Sequence, residues 1–185
     1  MVEVNSVAGA EPKFFVNHFK ELFFTFTKLI EKNDYDNPTI RHQPLEFLVS
    51  IADRETTLLT TDIDMLKGLL DLCCKLMIDI DTEIDEDWKN PKPGFKLKEE
   101  QNEDSVVFAL ECLNRIFNAA GEENVMGPIQ ILIENLLGNN EDWRFKNAGL
   151  YILSQIGEFT SEICMFVGPL MTSIISHLQH ENPKI

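Results

Sequence analysis

Six carboxylates crowd one stretch of the chain: Asp79, Asp81, Glu83, Asp85, Glu86 and Asp87, with Trp88 directly after them. Alternating acidic residues supply oxygen donors, and the first chemistry they suggest is calcium binding. Such a loop needs glycine at its sixth position and a bidentate glutamate at its twelfth. Counted from Asp79, those positions hold Ile84 and Asn90, so the calcium reading fails. What remains is charge. Carboxylates held this close repel one another, and a basic partner relieves the repulsion while steering the encounter. Trp88 beside them could anchor such a partner or offer a cation–π face. A solvated loop with no specific partner is the plainer alternative, and the residues themselves leave both open.

Other reactive residue types assemble no reaction centre. The cysteines, Cys73, Cys74, Cys112 and Cys164, include no C-x-x-C pair that would seat a metal or form a redox couple. Cys73 and Cys74 adjoin within an apolar run, where thiols behave as small buried hydrophobes. The histidines are His18, His42, His177 and His180; the last two stand one helical step apart, with no third ligand nearby. The chain has neither a G-x-S-x-G elbow nor a glycine-rich phosphate loop. It is expected to bind rather than catalyse, with no cofactor and no metal.

Composition narrows the partner. Among 185 residues, 16 basic against 31 acidic side chains leave a net charge of −15. Phosphate backbones and anionic lipid are repelled by such a surface, whereas a basic protein or peptide is attracted. Apolar residues at 44% and charged ones at 25% describe a folded protein. The first twenty residues carry Glu3, Glu11, Lys13 and Lys20 without a long apolar core, and no run of about eighteen apolar residues occurs anywhere. A soluble intracellular protein is expected.

The elements that hold these residues are helical. Apolar spacing follows i, i+3, i+4, i+7 from His18 to Lys32, and no segment keeps a period of two. Further helices are predicted from about Pro38 to Asp53, over 62–80, 105–120, 125–138, 142–158 and 165–180. Pro44 inside the second should kink it or mark a late start. Turns are expected at 33–37, Gly121, Gly138 to Asn140 and Glu162, while 81–104 breaks the pattern.

The helices repeat. Leu45, Leu48 and Ile51 recur as Leu110, Leu113 and Ile116, then as Leu150, Leu153 and Ile156, each an L-x-x-L-x-x-I string. The strings lie 65 and 40 residues apart, and the excess in the first spacing nearly equals the irregular stretch 81–104. Gly127-Pro128-Ile129 likewise recurs as Gly168-Pro169-Leu170, 41 residues on. A period near 40 built from two helices marks a HEAT-type solenoid. The expected fold is therefore all-α, an α-α superhelix of about three helix pairs with partial repeats at both ends. Residues 1–10 read as the tail of a preceding repeat, 11–55 as one repeat and 61–122 as a second carrying an acidic insertion at 81–104. A third covers 125–161, and 164–185 supplies the first helix of another. Neither end has a polar cap, so a piece of a longer array is expected.

With the L-x-x-L-x-x-I residues facing inward, Glu46, Ser50 and Asp53 share another face at i, i+4, i+7. Their counterparts are Glu111, Arg115 and Asn118, then Tyr151, Gln155 and Glu158, with Val49, Asn114 and Ser154 alongside. Stacked repeats would align these into a ladder of carboxylates and amides suited to an extended lysine-bearing peptide. An ordinary solvated helix face is the alternative. Asn147 could bond a peptide backbone or merely sit early in its helix. Trp143 reads as a ring packed between repeats. Arg41 and Lys146 hold equivalent early positions, where pairing with an acidic residue of an adjacent repeat is expected.

The string from Asn140 to Leu150, N-E-D-W-R-F-K-N-A-G-L, and its continuation Tyr151 to Glu158 resemble the karyopherin-beta (importin-beta) superfamily of nuclear transport receptors, most closely the importin beta-3 branch. Arg41 to Glu46 and the acidic stretch ending in Asp85-Glu86-Asp87-Trp88 extend the resemblance over essentially the whole chain. It implies a superhelical receptor that shuttles between cytoplasm and nucleus. Second helices would hold basic cargo signals on the concave face, and Ran-GTP would release them. The acidic insertion would contribute to Ran or cargo contacts. Ran would bind mainly through repeats outside this chain, and nucleoporins join the implied partners. A HEAT scaffold for another complex, which would take folded domains on loops and ridges, is the competing expectation.

Overall fold

Asp62 shows how the sequence starts a helix. Its backbone is extended, and its carboxylate accepts hydrogen bonds from the amides of Asp64 and Met65, each at 3.2 Å. This satisfies donors that a helix start leaves open, and is worth about 1 kcal/mol. Ile63–Ile78 follows as a helix whose buried side includes Leu66, Leu69, Leu70, Cys73 and Leu76. Asp142 does the same service for the last long helix, accepting from the Arg144 amide at 3.0 Å.

The computed structural model describes residues 2–31, 39–80, 103–139 and 142–160, with residues 168, 171–172 and 174–176 beyond them. Among the described residues the elements are helices and no strand occurs, so the all-α expectation holds. In chain order they are α1 (Val2–Ala10), α2 (Lys13–Val16), α3 (Phe19–Ile30), α4 (Thr39–Arg54), α5 (Thr57–Thr61), α6 (Ile63–Ile78), α7 (Glu103–Ala120), α8 (Glu122–Gly138) and α9 (Trp143–Phe159). The loop expected at 33–37, most of the insertion, the turn at Glu162 and most of the helix expected at 165–180 lie outside the described residues.

Two of these helices depart from their expected starts, and a third passes through a proline. Helix α4 begins at Thr39 and continues through Pro44, so the proline does not mark its start. Its missing N–H costs the bond to the Ile40 carbonyl. Against that single loss, Leu45, Leu48, Val49, Ile51 and Ala52 on the same helix are all 0% exposed. A fully buried leucine or isoleucine contributes about 1.5–3 kcal/mol, so burial decides. Helices α7 and α8 start two and three residues early, at Glu103 and Glu122. Their first turns carry acidic residues, which the positive end of a helix favours.

Consecutive helices pair as α3 with α4, α6 with α7, and α8 with α9, while α1 lies against α4. The L-x-x-L-x-x-I strings form the shared core: Leu113, Ile116, Leu153 and Ile156 are buried like their α4 counterparts, and Leu110 and Leu150 pack partly buried against them. Gly149 lets α9 approach α8, since a Cβ there would meet Leu136 and Leu137 at 3.1 Å. Gly121 joins α7 to α8 at φ 79° and ψ 154°, a backbone region essentially reserved for glycine. Packing along the array is unequal. Helix α4 rests extensively on α7, whereas α3 with α6, and α6 with α8, touch far less. Helices α4, α7 and α9, the second of each pair, form the row expected to line the inside of the superhelix.

Candidate functional site

Of the residues proposed for the second-helix ladder, those of α4 come together with Arg115 of α7, and not as an open acidic strip. Glu46, Ser50 and Asp53 stand one and two turns apart on α4, and Arg115 of α7 reaches across to all three. Its Nη1 donates to Glu46 Oε1 at 2.9 Å and Oε2 at 3.0 Å, and Nη2 donates to Ser50 Oγ at 3.1 Å. Its Nε lies 3.5 Å from Asp53 Oδ2, and Ser50 Oγ in turn donates to Glu46 Oε1 at 2.8 Å. Burial works against the Arg115 charge. The hydrogen bonds and charge of Glu46, helped by Asp53, outweigh it and hold the guanidinium above its ordinary range. Both partners of the Glu46 pair keep about a third of their side-chain surface, 32% each.

Farther along the second-helix row the polar groups stay accessible. Glu111, Asn114 and Asn118 are exposed on α7, as are Tyr151, Ser154 and Glu158 on α9. Asn118 Nδ2 donates to the Asn114 carbonyl at 2.7 Å and to its side-chain oxygen at 3.0 Å. Gln155 Nε2 approaches Glu158 Oε2 at 3.5 Å. Asn147 is different. It is buried in the second turn of α9, 8% exposed, one turn before the exposed Tyr151. Trp143 opens α9 half-buried.

Of the acidic run, only Asp79 falls among the described residues; Asp81, Glu83, Asp85, Glu86, Asp87 and Trp88 lie outside them. Asp79 is an ion-pair partner of Arg41, whose Nε also donates to the Ile30 carbonyl at 2.8 Å. Arg41 therefore links the end of α3, the start of α4 and the end of α6, as its early position suggested. Glu31, Lys75, Ile78, Arg144 and Phe145 join Arg41 and Asp79 around a hollow of about 470 Å³. Within it Lys75 pairs with Glu31, and Arg144 donates to Asp142, whose carboxyl those bonds hold below the usual carboxylate range.

On the opposite, first-helix side lies a groove of about 550 Å³ lined by Phe23, Phe24, Met65, Asp62 and Asp64. Chemically reactive groups are sealed elsewhere. Cys73, Cys74 and Cys112 are free and buried, and burial pushes the thiols of Cys74 and Cys112 up to about 12. No group of His, Cys, Asp and Glu among the described residues could hold a metal. Cys164, His177 and His180 lie outside those residues. The role of Arg115 is the feature that reasoning from residue types missed. Its signal was present, because Ser50 and Arg115 are separated by the 65-residue repeat spacing and so occupy one rung.

Comparison with known proteins agrees with this architecture. The crystal structure of Kap121p bound to RanGTP aligns over 98% of this chain at a TM-score of 0.81 with 16% identity. Kap121p bound to Nup53p aligns over 97% at 0.80, and Kap121p bound to the extreme C-terminus of the protein phosphatase Cdc14p over 98% at 0.82. At this identity the likeness establishes the karyopherin-type HEAT fold. The chain spans 17–18% of the length of those chains. A family model described as importin repeat matches residues 32–127, from the end of α3 to the first half of α8 and more than half of the chain. The chain belongs to the importin-repeat family.

Proposed function

We propose that this chain is part of a nuclear transport receptor of the karyopherin-beta superfamily, within its importin beta-3 branch. It acts by binding and not by catalysis, and it passes between cytoplasm and nucleus. The inner face of α4, α7 and α9 holds lysine-bearing cargo segments, and Ran-GTP acting on the whole receptor releases them. Kap121p, which has the same fold, is known in complexes with RanGTP and with Nup53p, and those partner classes are proposed here for the parent receptor.

The observation that carries the reading is the importin-repeat match, set on an array whose second helices present carboxylates and amides in register. A net charge of −15 favours basic segments over acidic ones. An extended peptide lying along α7 and α9 meets Glu111 and Glu158 as charge-assisted acceptors, and Asn114, Asn118 and Ser154 as partners for its backbone. The test is a calorimetric titration with a lysine-rich import-signal peptide at low and physiological salt, beside a lysine-to-glutamate control. Saturable binding of the basic peptide alone, weakening with salt, supports the receptor. Absence of binding at both salt concentrations removes cargo recognition from this segment.

A further inference from the structure

The inner face carries charge in two conditions. On α7 and α9 the carboxylates of Glu111 and Glu158 are exposed. On α4 the carboxylates of Glu46 and Asp53 already face a cation of the same molecule. Arg115 satisfies them with a planar fork of donors that contacts Glu46 twice, Ser50 once and Asp53 at 3.5 Å.

We propose that Arg115 is an internal cation that withholds Glu46 and Asp53 from basic partners, so that lysine-bearing segments are read by the α7–α9 half of the face. This rests on the receptor reading above. The physical reason is competition. Arg115 is tethered to the array, so its local concentration beside Glu46 is fixed and far above that of a peptide in solution. A lysine ammonium is a single point charge and cannot face Glu46, Ser50 and Asp53 from three separate nitrogens as the guanidinium does. An incoming lysine must therefore displace a better-matched group that gives up little freedom by staying. Glu111 and Glu158 present no such barrier. Arg115 thereby sets where along the array a cargo signal registers. A partner that supplied its own carboxylate to Arg115 would open the α4 half as well.

The experiment uses the full chain with Arg115→Gln, Arg115→Lys, the double variant E46Q with D53N, and a triple variant combining those two with Arg115→Gln. Each is titrated with the lysine-rich peptide and its glutamate control, with circular dichroism confirming the fold. Arg115→Gln should bind the basic peptide about tenfold tighter and with steeper salt dependence, as expected for one newly available charged hydrogen-bond site. Arg115→Lys should fall between it and the parent. The triple variant should lose the gain, and E46Q with D53N alone should change affinity less than about twofold. A residue that only tied α4 to α7 would, on removal, add nothing beyond a long-range attraction that physiological salt screens away. Where the parent binds the peptide, equal or weaker binding by Arg115→Gln overturns the proposal, as does a large loss from E46Q with D53N alone.

A second probe needs no cargo. Methylguanidinium at millimolar concentration should shift the carboxyl carbon resonances of Glu46 and Asp53 saturably in Arg115→Gln and leave the parent unshifted. Equal shifts in both proteins would show the carboxylates already open and overturn the proposal. If the peptide binds neither protein while methylguanidinium distinguishes them, the receptor reading fails and the covering role of Arg115 stands.

Discussion

The His42 imidazole of α4 stacks on the Phe108 ring of α7, with centroids 4.4 Å apart and planes inclined by 18°. Its Nε2 also shares a 2.9 Å hydrogen bond with Ser105 Oγ. Burial is the main force lowering its pKa, and the neighbouring Arg41 charge acts the same way against a smaller opposing pull from Asp104.

A lowered histidine pKa gives a definite sign. Above the ordinary value of 6.5 both folded and unfolded chains hold His42 neutral, and its contribution to stability is complete. As pH falls below that value the unfolded chain takes up the proton first, so stability declines until the lower folded-state pKa is passed. Urea midpoints at pH 7.5, 6.5 and 5.5 should therefore decrease toward acid. His42→Gln should lose that part of the slope. An unchanged slope in the variant would place the acid sensitivity elsewhere.

Arg41→Ala should destabilise the array by about 2 kcal/mol, the scale of losing charge-assisted hydrogen bonds from a mostly buried cation. Its side chain is 10% exposed and serves both the Ile30 carbonyl and Asp79. Arg41→Lys should recover only part, because one ammonium cannot replace the guanidinium's directed donors at both acceptors. Urea denaturation of the two variants measures this directly. Losses within about 0.5 kcal/mol, the range of ordinary surface changes, would mean that the junction of α3, α4 and α6 does not depend on the cation.

The buried thiols should be inert. Cys73, Cys74 and Cys112 are at most 4% exposed, and burial pushes all three thiols upward, two of them to about 12. Because the thiolate is the reactive form, these positions should resist an aromatic disulfide reagent at pH 8 in folded protein and react fully in denaturant. Mass spectrometry assigns the modified positions. Rapid labelling of any of the three without unfolding would contradict the packing of α6 on α7.

The acidic insertion enters the receptor reading through its charge alone. Converting Asp79, Asp81, Glu83, Asp85, Glu86 and Asp87 to amides should weaken binding of the lysine-rich peptide and flatten its salt dependence. Asp79→Asn by itself should instead lower stability, because that carboxylate is the partner of Arg41. If the full set of changes left affinity at low salt unaltered, the insertion would have no part in recognition.

How far the sequence could be read depends on the range of the interaction. Helix faces follow from local spacing, which is why the L-x-x-L-x-x-I pattern alone assigns Leu45, Leu48 and Ile51 to the core. The repeat spacing likewise aligns Ser50 with Arg115. Spacing cannot say whether neighbouring rungs touch, since that depends on how closely α4 and α7 stack, and the bonds of Arg115 escape it for that reason. Asn147 fails differently. Helical periodicity puts it on the polar row with Tyr151, Ser154 and Glu158, yet it is 8% exposed, because burial depends on neighbouring elements that spacing does not describe. Short helices such as α2 and α5 complete too few turns for a periodic signal.

The unequal stacking of the two helix rows has a mechanical consequence. The bonds of Arg115 fasten α4 to α7, while α3 and α6 on the other side of that joint meet sparingly, so this part of the array resembles a book bound along one edge. Opening the outer gaps separates few contacts, whereas lengthening the inner row must break charged hydrogen bonds. Changes in overall dimension should therefore come from fanning about the inner edge. The spacing between the α4 and α7 rungs then stays nearly constant while the superhelix winds tighter or looser around it.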